Sequence, residues 1–283
     1  MPAKILVKEA LSETVFKMVL EAPKLSRKWK AGQFVVLRIH EEGERFPLTI
    51  ADADPEKGTV TIVFQVVGKS TSHLADLNAG DLVLDLVGPL GRPTHIEKIG
   101  TIACIGGGVG MSLVYPIAKA MKKAGNHVIS IIGARSKELI FMEEEMRAVS
   151  DEFVVATDDG SYGYKGFVSL ALADMFLIPG RKIDMVLAIG PVPMMRSVCF
   201  ITKRYAIPTI VSLNSIMVDG TGMCGACRVS VGGKTKFVCV DGPEFDGHQV
   251  DFQGLMDRLK IYLPEEKRCY DHYCTCRLGD RVS

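Results

Sequence analysis

The sequence lacks the features that mark several classes of protein. Its 283 residues include one tryptophan and seven tyrosines, too few for an aromatic platform that stacks on single-stranded nucleic acid. The 34 basic and 33 acidic residues leave a formal net charge of +1, which excludes a basic nucleic-acid arm, an acidic tail and a polybasic membrane patch. With 28 glycines and 13 prolines, the composition is neither fibrous nor disordered.

No segment has the pattern of a targeting signal or a membrane span. The N-terminus alternates apolar and charged residues and has no long apolar core. The run Ile99–Ala118 carries no charge and is long enough to cross a bilayer. It also contains five glycines and Pro116, which indicates a glycine-rich turn between a buried strand and a helix. We therefore expect a cytoplasmic protein without a membrane segment.

The length predicts about two domains with room for a small third one. Residues 1–97 show short, β-branched segments separated by turn signals, a spacing typical of an antiparallel β-barrel. The rigid segment Gly88–Pro93 marks its end. The predicted strands are Lys4–Glu9, Thr14–Leu20, Phe34–Ile39, Thr59–Val67 and Leu82–Val87.

Residues 98–214 alternate between strand and helix patterns, which predicts an α/β domain with a doubly wound parallel sheet. The predicted strands are Thr101–Ile105, His127–Gly133, Phe153–Ala156 and Met185–Ile189. The predicted helices are Ser112–Ala124, Met142–Val149, Val168–Met175 and Met194–Tyr205. Residues 215–283 are rich in glycine and cysteine with weak periodicity, as expected of a small domain built around a cofactor.

The eight cysteines divide into two groups. We expect reduced thiols throughout, because the chain has no export signal. Cys104 and Cys199 lie in apolar stretches and are interpreted as buried small hydrophobes. The other six fall within the last 60 residues, a clustering that points to metal: Cys224, Cys227, Cys239, Cys269, Cys274 and Cys276. The last three of these are expected to pack rather than to bind a ligand.

The strongest motif is a glycine-rich loop with the ligand spacing D-x4-C-x2-C-x11-C. It resembles the C-x4-C-x2-C loop of plant-type 2Fe-2S centres, with a carboxylate in the first position. Glycines let the backbone approach a compact inorganic core. The predicted ligands are Asp219, Cys224, Cys227 and Cys239. A zinc site is one alternative, with the fourth ligand drawn from Cys269, His272, Cys274 or Cys276. Thiols that bind no metal are the other.

A second motif predicts a dinucleotide site at the carboxyl ends of the strands. The turn Gly106–Met111 follows a strand and opens a helix, where glycines allow a pyrophosphate to approach the helix N-terminus. A second corner, Gly190-Pro191, and the acidic turn Thr157–Ser161 lie at the same edge. Arg135 follows the second strand and is open to two interpretations, a partner of a 2′-phosphate or a solvated loop residue.

Two segments of the predicted barrel have basic and hydroxyl side chains suited to a phosphate. These are Arg45–Thr49 and Val67–Thr71. Thr49 could also hydrogen-bond a ring nitrogen. On pattern alone, ordinary surface loops remain the alternative interpretation.

Barrel, dinucleotide turn and cluster loop, in this order, resemble the ferredoxin-NADP reductase superfamily. The local strings at Thr157–Gly166, at Cys239–Gly247 and around Asp219 are similar to electron-transfer subunits of the dihydroorotate dehydrogenase type. They are most similar to small subunits of the NADH-dependent ferredoxin:NADP oxidoreductase type. The resemblance covers essentially the whole chain.

The resemblance implies three sets of binding residues. It implies FAD held by Arg45, Pro47, Leu48, Thr49, Val66, Gly68, Lys69, Ser70 and Thr71. It implies NAD(H), or NADP(H), at Gly106, Gly107, Gly108, Val109, Gly110, Met111, Asp158, Asp159, Gly160, Gly190 and Pro191. It implies a 2Fe-2S cluster on the four ligands predicted above.

The resemblance also implies a function in electron transfer. A hydride passes between the nicotinamide and the flavin, and the cluster carries single electrons to a larger flavin and iron–sulfur subunit in a heterodimer. That partner handles NADP(H) and, through it, ferredoxin. Two alternatives stand beside this one: the electron-transfer subunit of a dihydroorotate dehydrogenase, and a non-enzymatic NAD-binding zinc protein.

The sequence departs from the superfamily at three positions. Phe46 stands where a flavin-binding arginine is usual, and Arg45 is one residue away. Ile189 stands where a cysteine commonly precedes the second Gly-Pro corner. Pro116 is displaced from the usual proline position after the glycine turn.

Overall fold

The structure is a computed structural model that describes residues 2–280 and the side chains up to residue 275. Its first part is a seven-stranded antiparallel sheet with two short helices. The strands are β1 (Ala3–Ala10), β2 (Val15–Glu21), β3 (Phe34–Arg38), β4 (Phe46–Asp54), β5 (Thr59–Gln65), β6 (Leu82–Val83) and β7 (Asp85–Leu90). The helices are α1 (Pro23–Ser26) and α2 (Lys69–Asp76).

The first sheet curves into a barrel whose interior is apolar. Its order is β6-β1-β2-β5-β4-β3-β7, and its two edge strands are joined by the single residue Leu84. Along β5, the alternating side chains of Val60, Ile62 and Phe64 are almost fully buried, as the period of a strand requires. The predicted antiparallel barrel is confirmed.

Three elements of this part were absent from the predicted set: strand β4, helix α2 and the four-residue helix α1. Strand β4 contains Pro47, which pairs with Val36, and proline lowers the strand signal of a sequence. Helix α2 has only eight residues. Its first turn is fixed locally, because the Thr71 hydroxyl accepts the amides of Val67 and Gly68 at 3.0 and 3.1 Å.

The second part is a sheet of seven strands flanked by helices. Its strands are β8 (Thr101–Gly107), β9 (His127–Ala134), β10 (Glu152–Thr157), β11 (Tyr164–Lys165), β12 (Met185–Ile189) and β13 (Thr209–Ser212). After them come β14 (Arg228–Val231), β15 (Lys234–Phe237) and β16 (Glu244–Asp246), of which only β16 joins this sheet. The helices are α3 (Gly110–Lys123), α4 (Glu143–Ala148), α5 (Val168–Phe176), α6 (Val192–Arg204), α7 (Val238–Asp241), α8 (Phe252–Leu259) and α9 (Leu263–Asp280).

This sheet is doubly wound, as predicted. Its order is β11-β10-β9-β8-β12-β13-β16, with every pair parallel except β13 and β16. The chain runs outward from β8 in one direction and from β12 in the other. The topological switch point, where open α/β sheets bind their ligands, therefore lies between the carboxyl ends of β8 and β12.

Shared apolar cores join the parts of the molecule. Val15, Ala51 and Val63, on the outer side of the barrel, belong to the same buried cluster as Met111 and Val114 of α3. A second buried cluster combines barrel side chains with residues of the second sheet and of the segment after residue 214: Phe34, Val36, Ile105, Val211, Cys227 and Cys239.

The C-terminal segment contains more regular structure than its weak periodicity predicts. β14 and β15 form a two-stranded antiparallel hairpin, and α9 is an 18-residue helix. Helix α9 reaches back to the barrel, where the Tyr273 hydroxyl donates to Asp76 of α2 at 2.5 Å. Within the described part of the chain, no helix is both long and apolar enough to cross a membrane.

Glu244 ties β16 to the connection between the two large sheets. Its Oε1 accepts the Thr94 hydroxyl at 2.5 Å and lies close to Gly32 of the barrel. Burial raises the pKa of the Glu244 carboxyl to about 7, although the Thr94 hydrogen bond acts in the opposite direction. The carboxyl is therefore protonated in the folded chain at mildly acidic pH.

This raised pKa predicts a pH-dependent stability. An unfolded glutamate has a pKa of about 4.3, so the contribution of Glu244 is fully present below about pH 4 and is lost as the pH rises through 7. After allowance for partial solvent screening, we expect a loss of about 2 kcal/mol. Urea unfolding at pH 5 and pH 8 should show this difference in the wild type and not in Glu244→Gln. Glu13→Gln, at an exposed position, should behave as the wild type; an equal pH dependence in Glu244→Gln would contradict the prediction.

Candidate redox site

The glycine turn after β8 packs directly against the end of β12. A Cβ on Gly110 would lie 2.2 Å from the carbonyl oxygen of Ile189, so only glycine allows this approach. Gly108 has a φ of +54°, and its Cβ direction leads into open space. The N-terminus of α3 thus lies at the switch point, where the helix dipole favours an anionic pyrophosphate. Met111 is fully buried and supports this turn from the core side.

A cleft of about 600 Å³ opens at the switch point, between the barrel and the second sheet. The structure brings six of the residues predicted for the nucleotide to it: Gly107, Gly108, Val109, Arg135, Asp158 and Pro191. The barrel supplies Thr14, Val15 and Gln65, which the sequence reasoning missed. Val15 and Gln65 are cross-strand partners in β2 and β5, but nothing in the sequence indicates that this pair faces another sheet.

The two adjacent aspartates after β10 have different surroundings. Burial raises the pKa of Asp158, and the charge of Arg135 opposes that shift. Asp159 instead accepts the amide and hydroxyl of Ser161 at 2.9 and 2.6 Å, and these bonds lower its pKa. Asp158 is therefore positioned toward the cleft, whereas Asp159 shapes the turn. Gly160 adopts a φ of +76° in the same turn.

The two segments predicted for the flavin lie on the barrel. Thr49 and Pro47 are in β4, opposite Phe34 and Val36 of β3, while Arg45 is exposed just before β4. Val66 and Gly68 lead from β5 into α2. The Thr71 hydroxyl also donates to the Gly68 carbonyl at 3.0 Å. Thr71 therefore fixes the turn, which leaves the other groups of the segment to meet a ligand.

Asp219 organises the loop that carries the predicted cluster ligands. One carboxylate oxygen accepts the amide and the hydroxyl of Thr221, at 2.5 and 3.1 Å, and the other accepts the amide of Cys224 at 2.7 Å. The hydrogen bonds, that of the Thr221 amide first, lower the pKa of Asp219 to about 2. Asp219 is thus an anion at all physiological pH values, as a metal-binding carboxylate must be.

Two of the predicted thiol ligands are paired in the interior. The sulfurs of Cys227 and Cys239 are 3.2 Å apart, and each residue is only 2% exposed. Burial is the main cause that raises the pKa of Cys239 to about 12. Two neighbouring buried thiols of this kind would serve as ligands of one iron.

The loop fits an iron–sulfur cluster in the chemistry and placement of its donors. Three thiols and one carboxylate lie on one glycine-rich loop and the short helix α7, with Cys224 exposed at the loop surface. Across the described residues, no three possible ligands already converge on a single point. Cys269 and Cys274 lie on α9, far along the chain from this loop, and the side chain of Cys276 lies outside the described residues.

The cluster loop rests on the barrel beside the flavin segment. A Cβ on Gly220, which has a φ of +76°, would lie 2.9 Å from side-chain carbons of Val36 and Leu90. Val36 is the cross-strand partner of Pro47. The loop is therefore one strand away from the segment predicted to hold the flavin. Cys104 and Cys199 are buried elsewhere, which confirms them as core residues, and burial raises the pKa of each to about 12.

Two family models match parts of the chain. A model for the iron-sulfur cluster binding domain of dihydroorotate dehydrogenase B matches residues 214–251. A model for an oxidoreductase NAD-binding domain matches residues 104–199. The match to an iron–sulfur domain supports the predicted cluster over the zinc alternative.

Individual relatives cover almost the whole chain. A dihydroorotate dehydrogenase B (NAD(+)) electron transfer subunit homolog from Thermotoga maritima is 48% identical over 270 residues, 95% of each chain. The corresponding electron transfer subunit of Bacillus caldolyticus is 34% identical over 85% of this chain and 94% of that one.

A solved structure also matches this chain closely, in fold as well as in sequence. A chain from a structure of NADH-dependent reduced ferredoxin-NADP oxidoreductase, reported for its flavin-based electron bifurcation, superposes with a TM-score of 0.91. It is 47% identical, over 96% of this chain and 98% of that one. The resemblance inferred from the sequence is confirmed: the chain belongs to the family of dihydroorotate dehydrogenase B electron transfer subunits and their homologues.

Proposed function

We propose that this chain is an oxidoreductase subunit that passes electrons between NAD(H), FAD and a 2Fe-2S cluster, and on to a larger partner subunit. In this proposal the partner carries its own flavin and iron–sulfur groups, handles NADP(H), and reaches ferredoxin. The relative with a solved structure, an NADH-dependent reduced ferredoxin-NADP oxidoreductase chain, supports this choice of partner chemistry.

The proposal rests on one observation: the candidate sites for the nucleotide, the flavin and the cluster meet around the barrel. The nucleotide cleft is closed on one side by Gln65 of β5. The cluster loop rests on Val36 of β3. Strand β4, which lies between β3 and β5 in the sheet, carries the candidate flavin residues Pro47 and Thr49. A flavin on β4 would lie between the nucleotide and the cluster.

The residues at the three candidate sites suit the chemistry of the nucleotide, the flavin and the cluster. Flavin converts the two-electron chemistry of a nicotinamide into one-electron steps. The glycine turn around Gly108 and Val109, at the start of α3, would hold the nucleotide pyrophosphate, and Asp158 or Arg135 would orient the adenosine ribose. Asp219 and the three thiols would hold the irons. No side-chain acid or base is needed for hydride transfer, so the work of this chain is to position groups and to exclude water.

The cofactor content of the full chain, purified without oxygen, tests the proposal. We expect about two irons and one flavin per chain, with visible bands that bleach on addition of NADH. Cys227→Ala should lose most of the iron and keep the flavin, whereas Cys199→Ala, which removes another buried thiol, should keep both. One zinc and no flavin, or full iron in Cys227→Ala, would contradict the proposal.

The family membership itself supports a second candidate, the electron-transfer subunit of a dihydroorotate dehydrogenase. The two candidates differ in the partner and not in the chemistry of this chain. Purification of the native complex separates them, because only a dihydroorotate dehydrogenase partner makes the flavin bleach with dihydroorotate. Bleaching by NADPH through the partner favours the first candidate.

Substitution of Gly108 tests the nucleotide site. Valine at a φ of +54° is strained, and its side chain would enter the cleft. We expect Gly108→Val to bind NADH at least about tenfold more weakly, equivalent to about 1.4 kcal/mol, with flavin content unchanged. Gly180→Val is the matched control, because Gly180 also has a positive φ (+75°) and open space around its Cβ. Wild-type NADH affinity in Gly108→Val would show that the turn is not the site.

Replacement of Asp219 tests the unusual ligand. Asp219→Cys should retain the cluster and change its reduction potential, because a soft thiolate replaces a harder carboxylate ligand at unchanged ligand charge. We expect a shift on the order of 100 mV, measured by redox titration of the visible or magnetic spectrum. An unchanged potential would mean that Asp219 only organises the loop.

A further inference from the structure

Arginine side chains donate hydrogen bonds to the backbone of the loop that carries the predicted thiol ligands. Arg258 of α8 donates to the carbonyl oxygen of Ala226 at 2.9 Å. Arg228 of β14 donates to the carbonyl oxygen of Gly225 at 3.2 Å. Both carbonyls belong to the two residues between the first and second cysteine of the motif. Two guanidinium groups therefore lie directly against the ligand loop.

A third arginine holds the segment that carries the remaining thiol ligand. Arg92 lies in the connection between the barrel and the second sheet, and its Nε donates to the Val240 carbonyl at 3.1 Å. Its backbone amide donates to the Gly242 carbonyl at 2.7 Å. Val240 directly follows Cys239. The ligand segment is thus fixed to this connection by a side-chain and a main-chain contact of one residue.

The positive charge of these arginines is only partly balanced within the described residues. Arg92 lies 3.8 Å from a carboxylate oxygen of Asp241, which Lys236 also approaches at 3.9 Å. Arg258 is half-buried, and its contacts in the described part of the chain include the Ala226 carbonyl but no carboxylate. A guanidinium that is partly removed from water is costly unless an anion lies near it. The loop therefore favours an anionic ligand.

A 2Fe-2S cluster would supply this anion. Three thiolates and the carboxylate of Asp219 are all negatively charged ligands. When such a cluster accepts one electron from the flavin, its negative charge increases by one, no bond breaks, and the guanidinium groups keep their protons. The net charge around an iron–sulfur cluster is one of the factors that set its reduction potential. Nearby cations therefore favour the reduced form.

We propose that Arg92, Arg228 and Arg258 stabilise the reduced cluster and so raise its reduction potential. The inference rests on the proposed function, since it requires that the chain holds the cluster. Arg258 has the largest effect, because its half-buried charge is screened least by water and salt. The three arginines are positioning residues: they act through the loop carbonyls and through their charge, and they do not bind iron.

The cluster potential of the full chain, measured by anaerobic redox titration, tests the assignment. Arg258→Gln keeps an N–H donor and removes the charge. We expect the equilibrium constant for reduction to fall at least about threefold, equivalent to about 28 mV for one electron. Arg258→Lys, which keeps the charge, should restore most of the wild-type potential. Lys260→Gln is the matched control, because it removes an exposed charge at the end of the same helix, 3.8 Å from Asp257.

The exposed arginines give an independent readout. Arg92→Gln and Arg228→Gln change side chains at the surface, so we expect both variants to fold and to keep their iron. Each should lower the equilibrium constant for reduction by less than Arg258→Gln does. High salt should diminish both effects, because exposed charges are screened. Iron content is measured in every variant beside the potential.

The possible results separate a charge effect from a structural one. A wild-type potential in Arg258→Gln would overturn the assignment, and an equal drop in Arg258→Gln and Arg258→Lys would show that Arg258 only shapes the loop. If Arg258→Gln loses its iron, the exposed variants decide: lowered potentials support the assignment and unchanged ones overturn it. A wild-type chain without a 2Fe-2S cluster would defeat the proposed function together with the inference, whereas a normal cluster with unchanged potentials in the variants would defeat the inference alone.

Discussion

The redox arrangement depends on the packing of the cluster loop against the barrel. Gly220 lies so close to Val36 and Leu90 that any side chain would push the loop away. The same apolar cluster contains Phe34, Val36 and the paired thiols of Cys227 and Cys239. Because a shared core of this kind cannot be deformed gradually, it fixes the distance between the loop and strand β4. The packing therefore holds the loop at a constant separation from the strand that carries the candidate flavin residues.

The nucleotide cleft is shaped by a second close glycine contact. Gly110 approaches the carbonyl of Ile189, which closes the switch point of the parallel sheet, and the outer face of the barrel packs on α3 through Val63 and Met111. The cleft is therefore formed by both sheets. A nucleotide bound there would meet the barrel on one side and the glycine turn on the other, which is the geometry that transfer to a flavin needs.

Much of this could be predicted from the sequence, and the failures have physical reasons. The glycine turn at Gly106–Met111 and the Asp219 loop are local patterns in which spacing reflects chemistry, so the sequence itself indicates them as candidate sites. Strand β4 was missed because Pro47 weakens its pattern. Gln65 was missed because only packing turns it toward the cleft. The ring contacts of His73 in α2 with His40 and with Tyr273 of α9 join three distant parts of the chain, and no local signal in the sequence could indicate them.

The order in which the chromophores are reduced tests the central claim most directly. The full chain, loaded with its cofactors, is mixed rapidly with NADH in the absence of oxygen, and the flavin and cluster bands are followed separately. The arrangement of cleft, β4 and Gly220 loop predicts that the flavin bleaches first and that the cluster follows from it. Reduction of the cluster before the flavin, or at a rate independent of it, would contradict the account.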